Sequence, residues 1–240
     1  MTTEPLFRDD AALTSCTATV LAAGPDGIVL DRTVFYPQGG GQPGDTGRLV
    51  LADGTALVVT DTVKGEAGAI VHRVAADAAL PAPGTSVTAE LDWDRRLRLM
   101  RAHTAMHLLC SLIPGAAVTG GAIGDGKGRL DFDLPEAPDK EKLNAALAAL
   151  IAEDHPITTR WITEDELDAN PGLVRTLSVK PPRGAGRVRL VQIGVAEAPV
   201  DLQPCGGTHV ASTAQVGRVT VAKVENKGRQ NRRIALVLEG

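Results

Sequence analysis

Two pairs of nitrogen and sulfur donors stand far apart in this 240-residue chain. His103-Thr104-Ala105-Met106-His107 sets two histidines four positions apart, and Pro204-Cys205-Gly206-Gly207-Thr208-His209 joins a thiol to an imidazole. On a helix, residues i and i+4 lie one above the other, so two imidazole nitrogens can meet one cation. The glycines between Cys205 and His209 permit a tight turn in which thiolate and imidazole converge. Such donors favour zinc over magnesium or calcium. His103, His107, Cys205 and His209 are therefore the expected ligands of one Zn2+. Four protein donors suit a structural ion, whereas a catalytic zinc keeps a position for water or substrate. The motif also lacks the glutamate of HExxH, so no general base comes with it. Spacing and ligand type leave both roles open.

Cys110 lies three residues beyond His107 on the same helical face and competes as a ligand. Its neighbours Leu108, Leu109 and Leu112 make it a small core residue instead. Cys16 reads as core, and His72 and His155 as ordinary polar residues. A second unusual stretch is Phe35-Tyr36-Pro37-Gln38-Gly39-Gly40-Gly41-Gln42-Pro43-Gly44-Asp45. It has no Gly-Lys-Ser/Thr and opens no helix, so it is not a phosphate-cradling Walker loop. The flanking aromatics and prolines stiffen it into a shaped loop that meets another surface. A third is basic: between Arg218 and Arg233 six Lys and Arg face one acid, Glu225. Lys227, Arg229, Arg232 and Arg233 surround a hairpin tip, a cluster that can bind phosphates or simply be solvated.

These residues need a frame. Up to about residue 91 the chain reads as short strands (17–21, 27–30, 56–60, 69–73 and 86–91) separated by Gly- and Pro-rich turns, the pattern of a small β-barrel. At Asp92-Trp93-Asp94 it changes to one long helix, capped by Asp92 or Asp94 and stopped by Pro114-Gly115. A second helix is expected over Lys140–Ala152, and a short third one from Thr163, whose spacing to Glu166 fits a capping box. Strands are expected over 129–134, 157–162, 187–193, 217–224 and 232–238. Helices and strands mix without βαβ alternation, so the class is α+β: a barrel over residues 1–91, then residues 92–240 with helices packed on a mainly antiparallel sheet.

Composition narrows the function classes. Hydrophobic residues make up 43%, the balance of an ordinary globular protein. No apolar run approaches the ~20 residues that span a bilayer, and Met1-Thr-Thr-Glu-Pro lacks the basic and apolar regions of a signal peptide, so none is expected. Three cysteines do not make a disulfide framework, so a reducing cytoplasm is expected. Net charge is −4, but residues 1–92 carry five basic against twelve acidic side chains and residues 93–240 carry twenty against seventeen. Any polyanion would bind the second region. Aromatics are only 2%, which excludes a broad base-stacking platform.

Taken together, the glycine loop ending at Asp45, the helical segment Arg101–Leu109, Cys205-Gly206-Gly207-Thr208-His209 and Lys227–Arg233 resemble, in order, the editing domain of alanyl-tRNA synthetases and the stand-alone alanyl-tRNA editing proteins of AlaX type, medium form. The resemblance implies a trans-editing hydrolase that cleaves serine, or glycine, from mischarged tRNA(Ala), with no nucleotide cofactor and no aminoacylation. It implies zinc at His103, His107, Cys205 and His209. It places Gln42 at a position that faces the editing site and helps discriminate the amino acid. The candidate catalytic set is then Gln42, Thr104 and Cys205, and the candidate tRNA-binding set Lys227, Arg229, Arg232 and Arg233. Zinc can polarise the ester carbonyl, lower the pKa of a water or bind the substrate's amino or hydroxyl group. A related zinc domain occurs in threonyl-tRNA synthetases, so editing of another tRNA stays open. So do a non-catalytic zinc-stabilised tRNA-binding module and a hydrolase of small esters or amides.

Overall fold

Turn residues every few positions chop the N-terminal third into short strands. A computed structural model describes residues 2–176 and 186–239 and divides the chain into two compact units, Met1–Leu97 and Arg98–Gly240. The first unit contains β1 (Glu4–Pro5), β2 (Ser15–Gly24), β3 (Gly27–Leu30), β4 (Arg32–Thr33), β5 (Gly47–Leu51), β6 (Ala56–Val59), β7 (Asp61–Lys64), β8 (Ile70–Arg73) and β9 (Ser86–Leu91). β1 and β4 pair in parallel. The other seven form one antiparallel sheet in the order β6-β5-β9-β2-β3-β8-β7. Alternate side chains of these strands, among them Ile28, Leu30, Leu49, Val59 and Ala89, meet Phe35 of the loop after β4 in one core, each large one contributing ~1.5–3 kcal/mol by leaving water.

The two edges of this sheet, β6 and β7, are separated in the chain only by Thr60. Consecutive Cα atoms are about 3.8 Å apart, so the sheet must roll until its edges approach at that residue. Among the described residues no ladder pairs β6 with β7. The α+β class holds; no closed barrel is found among the described residues, so the small barrel expected from the sequence is not borne out.

α1 (Trp93–Ser111) begins in the first unit and supplies the central helix of the second. Asp92 opens it by accepting a hydrogen bond from the Arg95 backbone N–H at 3.2 Å. From Leu99 to Cys110 every residue except Arg101 is buried. A helix buried on all sides carries little amphipathic stripe. Around it the second unit places β10 (Ala117–Gly124), β11 (Lys127–Asp133), α2 (Lys140–Ala152), β12 (Ile157–Thr163), α3 (Glu164–Ala169), β13 (Arg187–Val195), β14 (Ala198–Pro204), β15 (Val219–Asn226) and β16 (Asn231–Leu238). They form two antiparallel sheets, β10-β11-β16-β15 and β12-β13-β14.

The capping box expected from the sequence is formed, with Thr163 and Glu166 making both bonds on α3. At the start of α2, Asp139 accepts from the N–H groups of Glu141 and Lys142. α2 packs on β15, where Asn144 Oδ1 accepts from the Val221 N–H at 2.7 Å. Beyond the two-residue β1 and β4, four strands have no counterpart in the sequence reading: β5, β7, β10 and β14. Three of these are sheet edges, where the Gly120-Gly121 pair of β10 and the prolines of β14 are tolerated although they mask strand propensity.

Candidate metal centre

α1 delivers His103 and His107 on one face, both 6% exposed. Opposite them, β14 runs Asp201, Leu202, Gln203, Pro204, then Cys205. Alternate strand residues share a face, so Asp201, Gln203 and Cys205 form one polar line, with Asp201 and Gln203 buried. The turn after β14 returns His209 to the same place. The donor atoms of His103, His107, Cys205 and His209 all lie within 4.8 Å of one another. Cys205 Sγ is 3.5 Å from His103 Nε2 and 3.4 Å from His209 Nε2. A tetrahedron with Zn–S near 2.3 Å and Zn–N near 2.0–2.1 Å has N–S edges of roughly 3.5 Å. The donor set and its spacing therefore fit a zinc ion.

Partners behind the ligands settle which imidazole nitrogen faces inward. His107 Nδ1 donates to Asp201 Oδ2 at 2.8 Å, leaving Nε2 for the centre. Gln203 Nε2 donates to the same oxygen at 2.8 Å, and its 3.1 Å approach to His107 Nδ1 is that of two donors converging on one acceptor. Thr104 Oγ1 lies 3.1 Å from His209 Nδ1, which likewise turns Nε2 inward. Such outer partners orient ligands and raise their basicity. Asp201 and Gln203 escaped the sequence reading. The signal was the period-two run of polar residues leading into Cys205.

The electrostatics are those of a cation site. Burial alone would raise the Cys205 thiol, but the charges of His103 and His209 hold it well below its usual range. Burial and the neighbouring His103 push His209 well below the ordinary imidazole value. Burial also opposes charge on His107, yet the hydrogen bond to Asp201 and the Cys205 thiolate lift it to about 10. With protons as the only cations, the two anions therefore hold a proton where a metal ion would serve the same balance. Burial pushes Cys110 up to about 11, so it stays a thiol. It lies outside the four-residue group.

The glycines of the Cys205–His209 turn do less than expected. Neither Gly206 nor Gly207 has positive φ, and a Cβ on Gly206 would meet nothing within 4 Å. The turn is held instead by buried Arg189, whose Nη1 donates to Cys205 O at 2.9 Å and Gly207 O at 3.0 Å.

In the first unit, the glycine loop is shaped rather than slack. Gly39 and Gln42 exchange backbone hydrogen bonds, each 3.0 Å, across Gly40 and Gly41, which have φ of 58° and 84°. Two consecutive positive φ values make this a type I′ turn that favours glycine. Gln42 is 1% exposed. Asp45 closes the loop, accepting from the Tyr36 N–H at 2.6 Å and pairing with Arg96, which is fully buried and also donates to Val34 O at 2.7 Å. Arg96 had not been singled out, since its charge gives no hint of burial until Asp45 is placed beside it.

The four basic candidates separate. Arg232 is 8% exposed, and its guanidinium donates to the carbonyls of Gly228, Asn231, Arg229 and Pro135, tying down the hairpin. Arg233 pairs across the sheet with Asp131 at 2.7 and 2.8 Å. Lys227 lies 3.9 Å from Glu225, and Arg229 is exposed at the tip. The tip keeps two outward cations rather than four, because two were recruited to hold it. His72, read as an ordinary polar residue, is fully buried between Thr33 Oγ1 at 2.8 Å and Ile28 O at 3.0 Å.

Two family models match the chain: tRNA synthetases class II (A) over residues 10–95, and the threonyl and alanyl tRNA synthetase second additional domain over residues 188–235. The chain is 35% identical to the alanyl-tRNA editing protein AlaX-M of Methanosarcina acetivorans, covering 98% of this chain and 99% of that one. It is 32% identical to AlaX-M of Saccharolobus solfataricus, covering 97% of each. A similar stretch lies within the alanine–tRNA ligase of Pyrobaculum aerophilum, 36% identical over 93% of this chain and 25% of the ligase.

Proposed function

The chain belongs to the AlaX-M family of alanyl-tRNA editing proteins, and on that premise we propose that it is a cytoplasmic trans-editing hydrolase acting on tRNA(Ala) mischarged with serine or glycine. The observation that carries this reading is the buried group of three imidazoles and one thiolate converging from α1 and the turn after β14. His103, His107, Cys205 and His209 would hold Zn2+, with Asp201 and Thr104 fixing the orientation of two of them. Bound there, the ion supplies Lewis acidity toward an oxygen of the ester or of water, or a binding point for the amino acid.

The reaction adds water across an ester that is already activated, releasing the amino acid and the free ribose hydroxyl. Positioning and oxyanion stabilisation then matter more than a strong base. Thr104, whose hydroxyl partners His209, acts by orienting that ligand. Gln42 is assigned, on the family resemblance, to reading the serine hydroxyl; a site built for that hydroxyl penalises alanine, which lacks it. Lys227 and Arg229, the outward cations of the β15–β16 tip, are assigned to the tRNA backbone.

A panel of Ser-, Gly- and Ala-tRNA(Ala) plus a mischarged non-alanine tRNA tests this. Release of serine with Ala-tRNA(Ala) spared, lost in Cys205→Ala, is the expected result. Equal hydrolysis of all substrates would overturn it. A second reading, a non-catalytic zinc-stabilised tRNA-binding module, is favoured by the closed set of four protein donors. It requires tRNA binding with no deacylation in the same panel.

A further inference from the structure

The sheet β12-β13-β14 carries a row of side chains that leads outward from the metal centre. Trp161 on β12 pairs with Arg189 on β13. Leu190 pairs with Pro204, so Arg189 stands opposite Cys205, whose N–H donates to Arg189 O at 3.1 Å. Directly opposed residues point to the same face of a sheet. Trp161, Arg189 and Cys205 therefore share one face, and two inter-strand spacings set Trp161 about 10 Å from Cys205.

The middle residue of the row is committed to the fold, with Arg189 buried under Cys205 O and Gly207 O. The outer one is not. Trp161 is 37% exposed and is the one aromatic among the exposed large hydrophobics of the described residues. An indole left in water forgoes much of the burial that makes it useful in a core, and this chain has only two tryptophans. The Arg187 guanidinium lies 4.4 Å from the Trp161 ring centroid, a cation–π contact that holds the ring in place. One face of the indole is thereby covered by a planar cation, and the other can take a second planar group. β12 runs straight into α3, which opens with Glu164, Asp165 and Glu166. The open face of the indole is a flat π surface, and the part of a nucleic acid that stacks on such a surface is an uncharged base ring.

Building on the editing reading above, we propose that Trp161, steadied by Arg187, is the stacking seat for the base of the RNA's 3′-terminal nucleoside. An ester on that nucleoside's ribose then extends along the row toward Cys205 and the other ligands. Stacking is indifferent to the identity of the base, so the seat supplies position and leaves amino-acid choice to the centre.

The test uses the full-length Trp93→Phe protein, in which Trp161 is the one remaining indole. It is titrated with a short RNA hairpin ending in an unpaired adenosine and with the same hairpin ending in an abasic ribose. Quenching of Trp161 emission by the first, with the abasic RNA bound about 5- to 150-fold more weakly and without quenching, is expected for one lost base–aromatic stack. Equal quenching by both, or binding with no quenching, overturns the proposal. A second arm keeps the outcome independent of the indole signal. Trp161→Ala should lose about 5- to 150-fold in kcat/KM on Ser-tRNA(Ala) at unchanged zinc content, and Trp161→Phe should recover most of it. Unchanged kcat/KM in Trp161→Ala refutes the seat alone. If the wild type hydrolyses no aminoacyl-tRNA, the editing reading fails, and the quenching arm still decides the seat.

Discussion

Replacing Asp201 with Asn removes one negative charge from behind His107 while keeping an oxygen that can accept from its Nδ1. The carboxylate is 4% exposed; Oδ2 takes hydrogen bonds from His107 and Gln203, and Oδ1 has no hydrogen-bond partner among the described residues. A buried carboxylate with a bare oxygen keeps part of its desolvation cost, which a positive centre close by offsets. Loss of a carboxylate behind a ligating histidine typically weakens metal binding about 10- to 100-fold, or ~1.4–2.7 kcal/mol. Asp201→Asn should fall near the lower end and Asp201→Ala near the upper, where acceptor and charge are both gone. Thr104→Val supplies the comparison, removing a neutral partner of His209 at 3.1 Å. A neutral hydrogen bond contributes ~0.5–1.5 kcal/mol, and charge-assisted ones about twice that. The order of zinc affinity should be wild type, Thr104→Val, Asp201→Asn, Asp201→Ala. Competition against a chromophoric chelator reads the dissociation constants, and thermal unfolding in excess chelator reads the metal-free fold separately. Wild-type affinity in Asp201→Ala, or Thr104→Val weaker than Asp201→Asn, would refute this account of the centre.

Other outcomes follow from single contacts. Gly44→Ala would drive a Cβ to 2.0 Å from Thr62 O, so denaturant unfolding should show a loss of ~1–3 kcal/mol. Gly206→Ala meets open space at an ordinary φ and should gain ~0.4–1 kcal/mol in the same measurement. Asp45→Ala strands the fully buried Arg96 and should cost ~3–5 kcal/mol, read as a lower denaturation midpoint. Burial lowers His72 from 6.5 to about 4. The unfolded chain therefore takes up this proton first as pH falls. Stability should decline from pH 6.5 and be lower by ~3 kcal/mol below pH 4. His72→Gln should flatten that part of the stability–pH curve, and an unchanged slope would exclude His72 as its source.

Local chemistry explains most of what could be read without coordinates. The capping box of Thr163 with Glu166 involves residues three apart, so its bonds were visible as spacing. The same is true of His103 and His107 on one helix face, and of the hairpin joining β15 to β16. Two strands that escaped notice, β10 and β14, carry glycine or proline at sheet edges and owe their conformation to the neighbour they pair with. Barrel closure also depended on non-local pairing. Seven strands roll until β6 and β7 meet through Thr60, with no ladder between those two strands among the described residues.

Donor identity needs only residue type and short-range spacing, so the sequence by itself determined that three imidazoles and a thiol were available as two local pairs. The tertiary structure decided that α1 and the end of β14 bring them within 4.8 Å, that Asp201 and Thr104 turn the inward nitrogens, and that Cys110 stays out. It also decided which cations point outward. Arg232 and Arg233 read like Lys227 and Arg229 in a one-dimensional string, yet the carbonyls of the hairpin and the carboxylate of Asp131 claim the first two. Charge and donor capacity belong to a residue. Whether they face a substrate or the fold depends on partners tens of residues away, which only chain packing can place.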